Sequence, residues 1–351
     1  MTANQDAAPA RAWAQRRQQL RPLPIGDTQQ EWIKTGLFMP EQRLPLVVEP
    51  AVPSVDLPHW LAGHRDFVES SLLVHGGILF RGFGLRDQAD FDRALQATGV
   101  ELLDYLEGAT PRTDLGGKVY TSTEFPAEET IAPHNELCYV ATWPRKIWFF
   151  CVQPPAAGGE TPIFDVRRVL QRIPLPIRER FARHGWMLVR NFGDGFGPSW
   201  QHSYRQHEPA ALEAYCRQAG IQLEWKSGDR LRTRQVRPAT ARHPVSGDEV
   251  WFNHVAFWHV SSLKPETREA FLADLGVEDL PYNTYYGDGT PIADEVAAAL
   301  RDAYAQEEVA FPWQQGDLLM LDNMLVAHGR RPFSGPRRIL TAMGEPEDRR
   351  G

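Results

Sequence analysis

His134-Asn135-Glu136 and a distant His328, followed ten positions later by Arg338, are the residues of this chain best suited to do chemistry. Two imidazoles and one carboxylate form a donor set for Fe(II), and an arginine suits a dicarboxylate co-substrate. On a strand, side chains at i and i+2 project to one side, so His134 and Glu136 can reach one ion while Asn135 points away. His328 closes the apolar run Leu325-Val326-Ala327 and supplies the third donor from elsewhere in the fold. The coordination positions left over are available to oxygen and a chelating co-substrate. A lone histidine in a chain with 11 is usually structural, so the argument rests on the set and not on either member.

The surrounding wording points the same way. Thr121-Ser122-Thr123-Glu124, His134-Asn135-Glu136 and Gly158-Gly159-Glu160-Thr161-Pro162 are followed by Trp313-Gln314-Gln315-Gly316-Asp317, Leu321-Asp322-Asn323-Met324, His328-Gly329-Arg330 and Gly335-Pro336-Arg337-Arg338. Together they resemble the iron(II)/2-oxoglutarate dioxygenases of the taurine-dioxygenase-like superfamily. The resemblance runs from about Phe80 to Met343. It is closest to the branch linked to non-ribosomal peptide pathways, represented by the aspartyl hydroxylase of the syringomycin pathway.

The resemblance implies a mainly β fold with surrounding helices, a double-stranded β-helix (jelly roll) of the clavaminate-synthase-like type. It implies Fe(II), 2-oxoglutarate and O2 as cofactor and co-substrates, with His134, Glu136 and His328 as metal ligands. Arg338, rather than its neighbour Arg337, is expected to grip the remote carboxylate of 2-oxoglutarate with help from the Thr161 hydroxyl. Only one of two adjacent strand residues can enter a pocket, and Phe333-Ser334-Gly335-Pro336 is a turn that can fold this strand back beside His328. Many relatives carry Asp where this chain has Glu136, one methylene longer but still a single-oxygen donor. Related halogenases have a small residue there, so Glu136 argues against halogenation. Taurine-type enzymes place a substrate arginine where this chain has Met343, which argues against a sulfonate held the same way. Substrate contacts are expected from Arg190 and Asn191, from Trp200 and Gln201, and from Asn253 and His254, polar and aromatic groups in inserts of the kind that cover such pockets.

The implied reaction is hydroxylation of an unactivated C–H bond in an amino acid or amino-acid-derived substrate of specialised metabolism, such as antibiotic biosynthesis, free or tethered to a carrier protein. Desaturation, epoxidation and cyclisation use the same ligands and stay open. So do two other classes: a non-catalytic metal- and ligand-binding protein, and a zinc hydrolase. The hydrolase is disfavoured because the short helical histidine pair flanking a glutamate is absent and a co-substrate arginine would be unexplained.

Composition bounds the alternatives. The 351-residue chain has a formal charge of -7 and a pI near 5.9, which excludes a broad nucleic-acid surface. Cys138, Cys151 and Cys216 are widely spaced in apolar settings and read as buried thiols of a reducing compartment. Neither a signal peptide nor a spanning run is visible, so a cytoplasmic location with no membrane partner is expected. Oligomeric state leaves no mark.

The elements that must position these residues follow from periodicity. Residues 1–25 read as a flexible arm and 26–351 as one catalytic domain. Helical spacing covers Leu57 to Leu73 and Asp87 to Thr98, with the apolar run Gly77 to Phe80 between them as a buried strand. Lys146 to Val152 and Thr161 to Phe164 read as neighbouring strands joined by a Pro- and Gly-rich loop. Helices are expected at Val166 to Arg172, Glu208 to Ala219, Pro265 to Leu275 and Asp294 to Gln306. Further strands are expected at Gln222 to Trp225, Leu231 to Val236, Ala239 to His243 and Val250 to Phe252, and last at Leu318 to Leu321, Val326 to Gly329 and Ile339 to Met343. Asp317, Asp322 and Asn323 are assigned scaffold roles at turns and strand ends.

Overall fold

Two facing sheets carry the site, and their inner faces are apolar because alternate residues of each strand point inward. The computed structural model describes residues 32–39, 42–105, 107 and 112–349; the expected arm over 1–25 lies outside them. The larger sheet has seven strands in the order Ile33–Met39, Gln42–Pro50, Gly77–Phe80, Leu318–Asp322, Thr142–Gln153, Arg338–Asp348, Val119–Thr121. The smaller has four, in the order Glu308–Val309, Ile163–Asp165, Val326–Arg330, Ile131–His134. This mainly β architecture with flanking helices is the jelly roll that the motifs imply.

Strand Arg338–Asp348 shows how the layers are sorted. Ile339 and Met343 join the core between the sheets with Ile147, Phe149, Ile163 and Leu319. Leu340 and Ala342 join a second core, where Trp60, Leu72 and Phe91 of the helices Leu57–Gly63, Arg65–His75 and Gln88–Thr98 pack on the outer face. Helix Gln88–Thr98 starts where Asp87 accepts the Asp90 amide on its side chain, and stops at Gly99 in the left-handed conformation (φ 70°).

A third sheet is built from the middle of the chain, in the order Gln222–Trp225, Leu231–Arg237, Trp186–Phe192, Tyr282–Tyr286. It has its own small core of Phe192, Trp200, Tyr204, Leu212, Cys216, Ile221 and Leu231. The sequence reading differs in several places, among them the helix Leu175–His184 and the strand Val119–Thr121, which it lacks. The helix over 57–73 breaks at His64 into two. Strands Thr142–Gln153 and Ile163–Asp165 are not paired neighbours but lie in opposite sheets, the chain crossing between them through residues 154–162. The hairpin Ile33–Met39 with Gln42–Pro50, and the strands Trp186–Phe192 and Tyr282–Tyr286, were not foreseen.

Candidate metal centre and co-substrate pocket

Antiparallel pairing sets His328 directly opposite His134 across neighbouring strands of the smaller sheet. Opposed residues point to the same face, so the two imidazoles meet, with ring centroids 4.4 Å apart. Gly329 permits this approach, since a Cβ there would lie 2.6 Å from the Ile131 carbonyl oxygen. Glu136 joins them: one ligand atom from each of His134, Glu136 and His328 falls within 4.8 Å of the others.

Glu136 does not reach the site by strand alternation. The strand ends at His134, and Glu136 lies in a turn continued by Leu137, whose φ of 53° is in the left-handed region. Asn323 holds that turn. Its Oδ1 accepts the Glu136 amide at 2.7 Å, its Nδ2 donates to the carbonyls of Glu136 (2.9 Å) and Pro144 (2.7 Å), and its own carbonyl accepts from Asn135 Nδ2 at 2.7 Å. Asn135 therefore points away from the metal face as expected. A non-glycine residue in the left-handed region persists when its surroundings over-determine it, and here four hydrogen bonds and the burial of Leu137 do so.

The histidines are poised as neutral donors. His134 Nδ1 donates to the Ala132 carbonyl at 2.9 Å, which fixes the tautomer and leaves Nε2 with its lone pair. Burial lowers its pKa, with Glu136 opposing. Burial drives His328 well below its ordinary value, helped by His134 and Arg112, and its Nε2 lies 3.8 Å from Glu136 Oε2. Asp322 and Asp317 serve the scaffold. Asp322 pairs with His243 at 3.0 Å and accepts the Met324 amide, and Asp317 forms a buried two-bond pair with Arg81.

Beside the ligands, the pocket wall is formed by Thr161, Ser122, Phe149, Arg330 and Arg337. Thr161 is buried and accepts from Trp313 Nε1 at 3.3 Å. Arg337 enters the pocket, while Arg338 is exposed on the other side of the strand. Within the strand Ile339 and Met343 face the inner core and Leu340 and Ala342 the outer, and its pairing shifts register between Arg338 and Ile339, just beyond Arg337. The pocket wall thus holds Arg337 where Arg338 was expected. Gly335 (φ 78°) makes the preceding turn, where a Cβ would meet Ala156 at 2.9 Å.

Among the described residues Arg337 is a cation without a counter-ion. Nε donates to the Gly159 carbonyl at 3.0 Å and Nη1 to Ser122 Oγ at 3.2 Å, but among the described residues no carboxylate lies within ion-pair distance. Burial and the neighbouring Arg330 push its pKa down to about 10. Arg330 itself is occupied, donating to the carbonyls of Phe125, Pro126 and Glu129. A dicarboxylate with one end on the metal would supply the missing anion at Arg337.

A model of the taurine catabolism dioxygenase TauD, TfdA family matches residues 42–343. The chain belongs to this family. It is an iron- and 2-oxoglutarate-dependent dioxygenase, and its donor set and unpaired Arg337 fit those two groups. Among TauD/TfdA-like relatives, it is 41% identical over 279 residues to the dapdiamide synthesis protein DdaC of Enterobacter agglomerans, covering 80% of this chain and 85% of that protein. It is 31% identical over 319 residues to a clavaminate synthase-like protein of Arabidopsis thaliana, covering 85% and 93%. Among solved structures, PvcB, described as an Fe, alpha-ketoglutarate dependent oxygenase from an isonitrile synthetic pathway, aligns with a TM-score of 0.55 at 18% identity over 92% of this chain and 94% of that one. That likeness concerns the fold.

The residues expected to touch substrate divide. His254 packs against His134 (centroids 5.6 Å apart), donates from Nε2 to the Asn135 carbonyl at 2.8 Å, and leaves Nδ1 buried without a partner among the described residues. Asn253 instead braces backbone, donating to the Ala239 carbonyl and accepting the Val255 amide. Arg190 and Asn191 belong to the third sheet and not to a covering insert. Asn191 bonds the Glu278 and Leu280 carbonyls and Arg232, and Arg190 bonds Ser203 and lies over the rings of Phe192, Tyr204 and Tyr282. Trp200 is buried in the small core and anchors the helix Trp200–Tyr204. Gln201, next to it, lines a separate cavity.

Sequence reasoning missed Arg112. Its Nη2 donates to Glu136 Oε2 at 2.6 Å, and the two side chains are 3% and 5% exposed. Burial opposes its charge, but Glu136 and the nearby Tyr105 and Tyr139 more than compensate, raising its pKa. No motif in Pro111-Arg112-Thr113-Asp114 announces it.

Proposed function

We propose that this dioxygenase hydroxylates an unactivated C–H bond of an amino acid or amino-acid-derived substrate in specialised metabolite biosynthesis, in the cytoplasm, with residues 26–351 as one catalytic domain. The observation that carries the co-substrate part is the pairing of a buried His-Glu-His set with an arginine that lacks a carboxylate partner among the described residues. In this reading His134, Glu136 and His328 hold Fe(II), and Arg337 with Thr161 takes the remote carboxylate of 2-oxoglutarate. The bound metal and co-substrate supply the oxidising equivalent from O2 that C–H chemistry requires. The chain's own residues position and shield: Phe149 stacks edge-on against His328 (4.9 Å between centroids), and Phe257 covers His134 (5.1 Å).

The relation to a dapdiamide synthesis protein supports the substrate class. Delivery on a carrier protein fits the same reading, with the substrate entering as a tethered aminoacyl group. Among the described residues no helix is long and apolar enough to cross a membrane.

The test is anaerobic titration with Fe(II) and 2-oxoglutarate, read by the visible charge-transfer band of the chelate, followed by a substrate screen read by succinate release and product mass. A band that requires His328, with a product gaining one oxygen atom, supports hydroxylation. Loss of two hydrogens would replace it with desaturation or ring closure, and oxygen gained across an alkene would mean epoxidation. No band under full metal loading would overturn the co-substrate assignment.

A further inference from the structure

We infer that Arg112 anchors a carboxylate of the substrate, at the inner end of a cavity of about 320 Å³ lined by Tyr105, Arg112, Gln201, Ser203 and Arg205 among others. The inference rests on the oxygenase reading of the His134-Glu136-His328 set and extends it to substrate class.

Arg112 stands between two spaces. It lines the pocket of the metal ligands with His134 and His328, and it lines the outer cavity. One of its donors is used on Glu136, and its Nε and Nη1 are buried with no hydrogen-bond partner among the described residues. Buried donors are almost always paired in native proteins, so two unpartnered nitrogens on one shielded guanidinium mark where a ligand's oxygens complete the structure. Its direction is fixed in advance. Glu136 holds Nη2, and the guanidinium lies over the Tyr105 ring, 4.4 Å from the centroid.

The surrounding charge has the matching sign. Among its described lining residues the cavity carries two arginines, Arg112 and Arg205, against the one carboxylate of Asp114, in a chain whose net charge is -7. Arg205 is exposed at the end of helix Trp200–Tyr204 with φ 49°, a left-handed conformation in a residue without the freedom of glycine. A flat, two-oxygen anion suits the planar guanidinium. The cavity volume lies at the small end of the range for ligand sites, which suits an amino acid or the end of a tethered chain. Because the same guanidinium touches Glu136, a carboxylate bound there keeps its neighbouring carbons beside the metal ligands. The substrate class is therefore an amino acid or aminoacyl group with a carboxylate a few bonds from the carbon oxidised.

The test uses the full chain loaded with redox-inert Mn(II) and 2-oxoglutarate, with binding followed by calorimetry and by the Mn(II) electron paramagnetic resonance signal. The probes are the proteinogenic amino acids, their carboxamides, and aspartyl and asparaginyl pantetheine thioesters. The expected result is a carboxylate probe that binds, and that weakens by about 10- to 100-fold when its carboxylate becomes an amide or when the protein is Arg112→Gln. Since both changes remove one interaction, their effects should not add. Arg112→Lys should fall between, and the exposed Arg205→Gln, which poses no folding risk, should weaken the same probe less than Arg112→Gln. Binding of free aspartate would assign the anion to a free amino acid, and binding of the aspartyl thioester alone would assign it to a tethered side chain. Equal affinity for acid and amide, unchanged binding by Arg112→Gln, or no carboxylate probe bound would overturn the inference. So would loss of 2-oxoglutarate binding in Arg112→Gln with substrate binding intact, because Arg112 would then serve the co-substrate. Failure of the unaltered protein to bind Mn(II) with 2-oxoglutarate would instead count against the oxygenase reading.

Discussion

The metal face and the outer cavity rim are built differently. His134 and His328 face each other from paired strands, and Glu136 sits in a turn clamped by Asn323, so every ligand is fixed by main-chain hydrogen bonding. The rim offers Arg205, His202 and His207, exposed side chains at the end of a short helix that is itself anchored through Trp200. What every reaction of this chemistry needs rests on paired strands and one clamped turn. What selects among substrates rests on side chains that can change without disturbing the sheets.

The largest expected effect breaks the metal face. His328→Ala removes one of three ligands and should weaken Fe(II) binding by more than about 100-fold, beyond what loss of an orienting neighbour causes, measured by anaerobic titration. The global fold should survive. The same substitution at His202, an exposed rim residue, should leave metal affinity unchanged, and a comparable loss there would remove the division between the two regions.

Next comes the arginine pair. Arg337→Ala should weaken 2-oxoglutarate by about 10- to 100-fold, the range for a charge-assisted hydrogen bond, while Arg338→Ala should change it little, since its side chain is exposed. The reverse outcome would show that the strand parity seen here is not that of the co-substrate complex.

Asn323→Ala sharpens the comparison from the scaffold side. It leaves the Glu136 amide and the carbonyls of Glu136 and Pro144 without their partner, for a stability loss of about 3 kcal/mol or more at roughly 1 kcal/mol or above for each buried group. Metal affinity should fall by about 10-fold through misplacement of Glu136. Denaturant unfolding and Fe(II) titration read the two effects separately. A destabilised protein with full metal affinity would mean that Glu136 keeps its place without the clamp.

The pattern of what was legible in the sequence follows the same division. The metal set could be read because ligand chemistry demands particular residue types, and the final strands because their apolar runs are short and bounded. Glu136 was placed correctly for the wrong local reason: i, i+2 alternation predicts a strand, whereas the chain turns there and Asn323 restores the aim. Arg338 was chosen over Arg337 by counting from a motif. The apolar alternation of Ile339 and Met343 against Leu340 and Ala342 is legible, but a register shift between Arg338 and Ile339, which no residue pattern announces, separates it from the arginines. Arg112 was not legible at all, because its role depends on a loop meeting Glu136 across 24 residues of sequence, and no local pattern encodes that meeting. Strand Trp186–Phe192 escapes a reading by apolar alternation because it carries two buried polar residues, Arg190 and Asn191. Both are buried by polar partners from other segments, Ser203 for one and Arg232 for the other.

The smallest expected effect lies behind the rim, at Glu107. Its carboxyl is buried, takes a hydrogen bond from the Tyr215 hydroxyl, and has Arg190 and Arg237 nearby. Burial raises its pKa above the ordinary 4.5 despite those three neighbours, so the folded chain holds this proton more tightly than the unfolded one. The sign follows from linkage: the stabilisation is complete below 4.5 and is lost as pH rises through the folded-state value. Glu107→Gln removes that titration while keeping a hydrogen-bonding side chain of the same shape. Its stability relative to the unaltered protein should therefore improve as pH rises from 4.5 towards neutrality, read as the difference between the two denaturant midpoints across pH. Metal affinity should not follow, because Glu107 touches none of the three ligands. A midpoint difference that is flat with pH would mean that Arg190 and Arg237 fully offset burial. A pH trend in metal affinity that disappears in Glu107→Gln would instead mean that the region behind the rim is energetically coupled to the metal face.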